Sequence, residues 1–569
     1  MKYNSAMRKG FLWKSLDLLT KRQTNILSAA FVIMATVIFS QLLGLVRQRL
    51  MIATFGISQV GIYFYATYLP DYIFQLTIAA AITSSFIPVF SGYISRGKEE
   101  DGHKMASTLL FIGFILFFVI SCFLAFFAES ILKIFNLGNH LTEQEMSTMV
   151  TMTRIYIFSE FLFIIGTFFT ALIQSYNNFF IPAVAVAFYN VGIILGILLF
   201  SSTFGIYSTM IGSILGGLIF VLTQVPMARK LGFSFRLGFT STIMDGIKKV
   251  GAMTWPRLIS VVIFNSSIVA IGAFISLLPE PTKMNTIFDL AKTLAFAPVV
   301  LFGNAIAQAA FPMLAREKDR IEEFKLTFIN SFNQMLYLVL PISVLILVLR
   351  IPLVRLVYGA PKLDWLSTVM TGNTLKFFAI SIFAQALITL ILRAFYALHD
   401  TKTPLVVSAI SNGLFVLLAY AMVNVWHIGV GILGSGVEGL AIAFSITSIL
   451  QLIALFLLLD ARVGGFHKRT LFMPWVKIFA ASFFTAFALY VPIKLLDQLV
   501  FDTTRTVNLI ILTGISSLAG LSLYLFLTWL FDVKEARIYL FAIRKIGNWR
   551  EVLGKRQEVV GGDKITPIS

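Results

Sequence analysis

Apolar residues run through the chain in blocks of about twenty, separated by short polar connections. A helix of about twenty residues crosses the roughly 30 Å hydrocarbon core of a bilayer. Each block therefore predicts a membrane-spanning helix. About fourteen can be read, over 26–46, 63–90, 106–128, 152–175, 181–200, 206–228, 252–278, 286–313, 328–349, 371–396, 404–425, 437–459, 473–493 and 507–531. The pattern predicts an all-α polytopic membrane protein with no soluble domain between spans. The first span follows a basic, mildly amphipathic segment, with Phe11, Leu12, Leu16, Leu18 and Leu19 set against Lys14, Lys21 and Arg22. That span is longer than a signal-peptide core and lacks a small-residue cleavage site, so it is expected to be retained.

Two landmarks recur along the chain. The second span ends at Pro88 and the eighth at Pro312, 224 positions later. The fifth opens with Pro182 and carries Asn190; the eleventh opens with Pro404 and carries Asn412, an offset of 222. Nearly equal offsets predict a duplicated six-helix unit. Six is even, so both copies keep one orientation, a parallel repeat about an axis along the membrane normal. The expected organisation is a basic cytoplasmic segment over 1–25, an N-lobe over 26–228, a basic cytoplasmic connection over 229–250, a C-lobe over 251–460, two further helices over 461–531 and a basic cytoplasmic tail over 532–569.

Composition narrows the class. Of 569 residues, 58% are hydrophobic and 13% charged, against about 25% charged in soluble domains. Disorder, a disulfide scaffold and a transmembrane β-barrel are excluded. The net charge of +18, from 45 Lys and Arg against 27 Asp and Glu, would suggest nucleic acid in a soluble chain. Here the excess sits in short connections such as Arg229, Lys230, Arg236, Lys248 and Lys249, and in the end segments at Lys2, Arg8, Lys9, Arg544, Lys545, Arg550, Lys555 and Arg556. The positive-inside rule then puts both termini in the cytoplasm, which an even number of spans also requires. The single cysteine, Cys122, lies in an apolar run and is read as a small buried apolar residue.

Two parallel helical halves commonly enclose a central site and rock about it to give alternating access. Charges inside spans cost about 2.5–3.5 kcal/mol each at a helix centre, so they tend to face a cavity or a partner. Arg47, Arg49, Lys292 and Arg257 are the basic candidates and would suit an anionic substrate, since guanidinium forks match phosphate oxygens. Arg47 and Arg257 could instead snorkel to the two membrane surfaces. Asp71, Asp289 and Glu160 are candidates for charge balance or ion coupling, and Asp289 and Lys292, three apart, are able to pair. The sequence lacks GxxxxGK[ST], HExxH and GxSxG, and its five histidines are scattered. No catalytic residue, metal ligand or cofactor is expected, and active transport would draw on a monovalent cation gradient or the membrane potential. One charge crossing 100 mV is worth about 2.3 kcal/mol. Gly434-Ser435-Gly436-Val437-Glu438-Gly439 matches GxGxxG but follows no strand and opens a membrane helix, so it reads as a turn. Gly192 with Gly196, and Gly212 with Gly216, form GxxxG pairs that predict close helix packing.

Ile391-Leu392-Arg393-Ala394-Phe395-Tyr396-Ala397-Leu398-His399-Asp400-Thr401-Lys402-Thr403-Pro404 closely resembles the RAFYAL-DTKTP segment of the MurJ/MviN family. These are bacterial lipid II flippases of the MOP (MATE-like) superfamily. Gly44-Leu45-Val46-Arg47 with Phe55-Gly56, Leu69-Pro70, Ser85-Phe86-Ile87-Pro88, Arg154-Ile155, Gln174-Ser175-Tyr176, Pro182-Ala183, Tyr189-Asn190, Pro298, Phe302-Gly303 and Pro312 resemble further family positions, so the likeness spans nearly the whole chain. The resemblance implies fourteen helices, two six-helix lobes, a central cationic cavity, a groove for a polyprenyl tail at the last two helices, and location in the bacterial inner membrane. The implied substrate is lipid II, a lipid-linked anionic peptidoglycan precursor moved from the inner to the outer leaflet. Membrane lipids and cell-wall synthesis enzymes are the expected partners, not nucleic acid.

The chain departs from the family pattern at its charges. The acid beside the first-helix arginine is Gln48 here, and an earlier arginine is Gln41. Second-helix acidic, arginine and glutamate positions align with Gly61, Phe74 and Ala79, and an eighth-helix Asp-Arg pair aligns with Lys292-Thr293. Export of another oligosaccharide-lipid, export of small cationic drugs, and a non-transporting scaffold role stay open at this point.

Overall fold

The computed structural model describes residues 26–76, 85–135, 137–138, 140–425, 430–431, 434–466, 468–499 and 505–537. The basic segment over 1–25 and the tail beyond 537 lie outside the described residues.

The chain is a helical bundle. Its principal helices are α1 (Ile26–Phe55), α2 (Ile57–Phe74), α3 (Ile87–Ser95), α4 (Glu99–Phe126), α5 (Ala128–Ile134), α6 (Glu143–Ser175), α7 (Phe180–Phe204), α8 (Ser208–Lys230), α9 (Ser241–Ser276), α10 (Pro281–Pro298), α11 (Asn304–Arg316), α12 (Ile321–Val348), α13 (Arg350–Tyr358), α14 (Trp365–Ala397), α15 (Lys402–Tyr420), α16 (Val437–Arg462), α17 (Lys468–Leu499) and α18 (Thr506–Leu530). Among the described residues, ten stretches are long and apolar enough to cross a membrane, and one of them, Phe180–Lys230, holds two helices. With α1, the α2–α3 pair and α9 these make about fourteen crossings. The helices mostly outrun their apolar blocks: α1 continues through Arg47 and Arg49 to Phe55.

Local chemistry sets several ends. Thr142 and Glu145 form a reciprocal capping box at the start of α6, Thr142 Oγ1 accepting the Glu145 amide at 3.2 Å and Glu145 Oε2 accepting the Thr142 amide at 3.0 Å. Asp364 Oδ2 accepts the Ser367 amide at 3.1 Å and caps α14. The glycine-rich segment is not a simple turn: Gly434-Ser435 pair antiparallel with Val430-Gly431, and Gly436, at φ 74°, caps the start of α16.

The repeat extends to backbone detail. Asn177 and His399, 222 positions apart, both stand at φ 59°. The amides of Asn177 and Asn178 bond the carbonyls of Gln174 and Ile173; those of His399 and Asp400 bond the carbonyls of Tyr396 and Phe395. One helix-ending device thus serves both halves, closing α6 and α14 with a left-handed residue. At the second copy Asp400 then accepts the Thr403 amide at 3.0 Å and its hydroxyl at 2.8 Å, positioning α15. Partial burial pushes the Asp400 carboxyl up, but those Thr403 bonds outweigh it and hold it below its ordinary value. The second element of each half is broken alike: α2 and α10 are both 18 residues long, start 224 positions apart and lead into short helices carrying Pro88 and Pro312.

Inside the N-lobe, α7 and α8 meet backbone to backbone. A Cβ on Gly192 would stand 2.2 Å from Gly216 Cα, and one on Gly196 2.2 Å from Gly212 Cα. Small residues permit this approach where lipid gives no hydrophobic drive for helix association. Gly196→Leu should therefore force the pair apart and destabilise the lobe by about 1–3 kcal/mol or more. A lower unfolding temperature of the purified chain in detergent would show it. The last two helices dock on α12, where Trp475 Nε1 donates to Asn333 Oδ1 at 3.1 Å, Trp475 stacks on Phe332 at 4.8 Å and Tyr524 donates to the Tyr337 carbonyl at 2.8 Å.

One expectation is corrected. Cys122 is exposed rather than buried. It belongs to the outward face of α4, with Ile115, Leu116, Phe118, Val119, Phe123 and Phe126. In a membrane helix an apolar run faces lipid as readily as protein, so apolarity alone does not imply burial.

Candidate substrate cavity

The α2 and α10 helices cross where the two halves meet. Asn285 Nδ2 approaches the Gly61 carbonyl at 3.4 Å, and these two residues are themselves 224 positions apart. Repeat-related positions touch only close to the axis relating them, so this crossing marks it. Thr286 Oγ1 donates to the Ile57 carbonyl at 2.7 Å, and Tyr68 donates to Asn285 Oδ1 at 2.7 Å. A little further along, Gln48 Nε2 reaches Thr293 Oγ1 at 3.4 Å and Tyr358 donates to Gln48 Oε1 at 3.2 Å. These contacts seal one end of the space between the lobes.

Below the seal lies a cavity of about 330 Å³, at the small end of the range for ligand sites. The N-lobe supplies Arg47 from α1, Tyr63, Thr67, Tyr68, Asp71 and Tyr72 from α2, Gln75 just beyond it, Tyr156 from α6 and Tyr189 from α7; the C-lobe supplies Ile268 from α9 and Asp289 from α10. Arg47 is half-buried, and its Nε is shielded from solvent with no hydrogen-bond partner among the described residues. It lies close enough to Asp71, Asp289, Tyr63 and Tyr189 to act on each electrostatically, yet forms an ion pair with none. Its donors are therefore available. Asp71 is engaged otherwise: its Oδ1 accepts from Tyr156 at 3.0 Å, and Glu160 is within hydrogen-bonding reach behind it. Glu160 is buried at 2% exposure, with Oε2 unpartnered.

Of the charged residues singled out from the sequence, Arg47, Asp71 and Asp289 share this cavity and Glu160 backs it. Lys292 acts electrostatically on Asp289 but makes no ion pair with it and does not line the cavity. Arg49 lies elsewhere, in a separate pocket with Arg355. Arg257 falls within α9, but its side chain is outside the described residues. Sequence reasoning missed the tyrosines. Four of the chain's 17 tyrosines, Tyr63, Tyr65, Tyr68 and Tyr72, fall within ten residues of one span. Such a run of apolar rings with polar tips signals a wet interior.

The model of the family described as lipid II flippase MurJ matches residues 51–509. A probable lipid II flippase MurJ of Borreliella burgdorferi is 24% identical over 440 residues, covering 76% of this chain and 83% of that one. The solved structure of lipid II flippase MurJ in an inward closed conformation superposes with a TM-score of 0.72 at 20% identity, covering 88% of this chain and 98% of that one. An inward-facing multidrug resistance MATE transporter of the MOP superfamily superposes with a TM-score of 0.61 at 12% identity, covering 76% of this chain and 98% of that one. The structural likenesses give the fold, two parallel six-helix lobes with two further helices, while the family model spans most of the sequence: the chain is a multi-pass membrane protein belonging to the MurJ lipid II flippase family.

Proposed function

We propose that the chain moves lipid II from the inner to the outer leaflet of the bacterial inner membrane by alternating access, its diphosphate seated on Arg47. One observation carries this reading: a guanidinium in the interlobe cavity with an unpartnered donor and no ion pair. A half-buried guanidinium that acts on Asp71 and Asp289 only at a distance leaves its donors unmet, and a diphosphate would supply the bidentate oxygens to meet them. The surrounding tyrosine hydroxyls offer donors and acceptors to an amphipathic head group. The positive-inside rule puts both termini in the cytoplasm. The sealed end then faces outward, and the cavity is approached from the leaflet where the precursor starts. Lys292 would add a second positive charge to the approaching head group, and Arg257 would act at the entrance.

Coupling belongs to the Asp71–Glu160 pair. Two carboxylates this close and this buried need a proton or a cation between them. A monovalent cation or proton entering there would change the field at Arg47 and so its hold on the diphosphate, while Asp289 balances charge from the other lobe.

The test is rescue of a flippase-depleted bacterium, alongside translocation of labelled lipid II by purified chain in vesicles. Rescue and translocation are expected. Asp71→Asn and Glu160→Gln should keep binding while transport loses its response to an imposed ion gradient. Were the chain a cationic-drug exporter, the same two variants would abolish drug resistance and Arg47→Ala would not. Failure to move lipid II with retained recruitment of synthesis enzymes would mark a scaffold.

A further inference from the structure

Among the bonds that cross the seal, one belongs to a side chain that also walls the central cavity. Tyr68 stands on α2, in the N-lobe, and lines the cavity with Arg47 and Asp71. Its ring reaches into the C-lobe, into a notch that Gly272 leaves on α9: a Cβ there would stand 3.1 Å from Tyr68 Cε2 and 3.2 Å from Cδ2. Its hydroxyl donates to Asn285 Oδ1 on α10 at 2.7 Å. Asn285 is fully buried, and among the described residues Tyr68 is the one donor to its Oδ1. The other end of the same amide reaches the Gly61 carbonyl at 3.4 Å. Both ends of the Asn285 side chain are thus held from α2.

A phenolic hydroxyl has a single proton to donate. Donation to Asn285 and donation to a ligand in the cavity therefore exclude one another. The cavity holds about 330 Å³, so an anion on Arg47 shares a small chamber with that hydroxyl. Phosphate oxygens bring acceptors, and a hydrogen bond to a charged oxygen is roughly twice as strong as one between neutral groups. We propose that Tyr68 is the positioning residue that couples occupation of the cavity to the seal: a head-group phosphate draws its hydroxyl away from Asn285, and the outward end is released. The abandoned Asn285 oxygen is then buried without a donor in the closed crossing of α2 and α10, which costs free energy that the open crossing, wetted by water, does not carry. The ligand shifts the lobes by its different affinity for the two states. The coupling rests on the transport reading and deepens it, since an empty cavity keeps its outward end shut and a loaded one unlocks it.

The experiment uses the full chain in lipid nanodiscs, with spin labels at Ile134→Cys on α5 and Leu366→Cys on α14 in a Cys122→Ser background. Both positions are exposed, one on each lobe, and their separation reports closure of the outward end. The probe is lipid II. It should raise the wide-separation population of the parent about fivefold or more. Tyr68→Phe keeps the ring in its notch and removes only the hydroxyl. Without lipid II its wide population should already be raised about fivefold or more, the least that an unsatisfied buried acceptor is worth, and lipid II should add less than about twofold. Tyr65→Phe is the control: Tyr65 is fully buried against Tyr68 with a hydroxyl that bonds nothing among the described residues, and it should match the parent in both conditions. Unfolding temperatures establish that each variant is folded. A ligand-free wide population of Tyr68→Phe within about twofold of the parent, or an undiminished response of that variant to lipid II, would overturn the coupling. Equal opening by Tyr65→Phe would overturn it too, because loosened packing would then be the cause. Translocation in vesicles is followed in parallel: a parent that moves no lipid II would overturn the transport reading, while the ligand-free comparison still decides whether Tyr68 holds the seal.

Discussion

Arg47→Ala is expected to yield a chain that inserts and folds normally yet moves lipid II about 30-fold to several thousand-fold more slowly. Truncating one partner of a desolvated charge pair typically costs about 2–5 kcal/mol. The folded chain itself loses little, because Arg47 makes no ion pair and leaves no bonded acid behind. The loss should fall on the substrate complex. Arg47→Lys separates charge from shape: an ammonium keeps the attraction but cannot offer the planar fork, so it should recover only part of the rate. Translocation of labelled lipid II in vesicles measures both, with the unfolding temperature as the folding check. Full activity of Arg47→Ala would sink the assignment.

The membrane fold was legible in the sequence because hydrocarbon thickness sets a length that apolar blocks must match. What that rule cannot see is where a helix stops once it leaves the hydrocarbon, since backbone hydrogen bonding continues as long as the chain allows. Hence α1 runs nine residues past its predicted end at 46, and the short helices α5 and α13 were not anticipated. The repeat was visible in prolines because proline placement is a backbone constraint, and the paired left-handed turns at Asn177 and His399 are the same constraint at higher resolution. In the site, intramembrane charge found Arg47, Asp71 and Asp289. It did not separate Arg47 from Arg49, although residues two apart on a helix point roughly 200° away from each other. The structure sends one to the central cavity and the other to the far pocket. Two departures from the family pattern also become one fact. Gln48 stands where an acid is usual and Thr293 where an arginine is usual, and these two residues face each other at 3.4 Å across the lobes. The two neutral replacements are thus partners in one hydrogen bond here, which no reading of the positions singly could show.

Gly61→Ala should unseal that same end of the interlobe space. A Cβ at residue 61 would stand 1.8 Å from the Thr282 carbonyl oxygen and 2.5 Å from its carbon. Both are backbone atoms, so no side chain can swing away, and the methyl fits only if α2 and α10 separate. Separation breaks the bonds of Thr286 to Ile57, Asn285 to Gly61 and Gln48 to Thr293, each worth about 0.5–1.5 kcal/mol. A penalty of a few kcal/mol shifts a two-state population by a factor of about 30 to 1,000. The readout is cross-linking of Ile57→Cys with Thr286→Cys in a Cys122→Ser background, which leaves no other thiol. Cross-linking should be rapid in the parent and severalfold slower with Gly61→Ala, while the unfolding temperature changes little because each lobe keeps its own packing. Transport should fall with it, since alternating access needs the sealed state as well as the open one. Undiminished cross-linking would mean the lobes are not held at this crossing. Slower cross-linking with full transport would mean that closure of this end is not a step of the cycle.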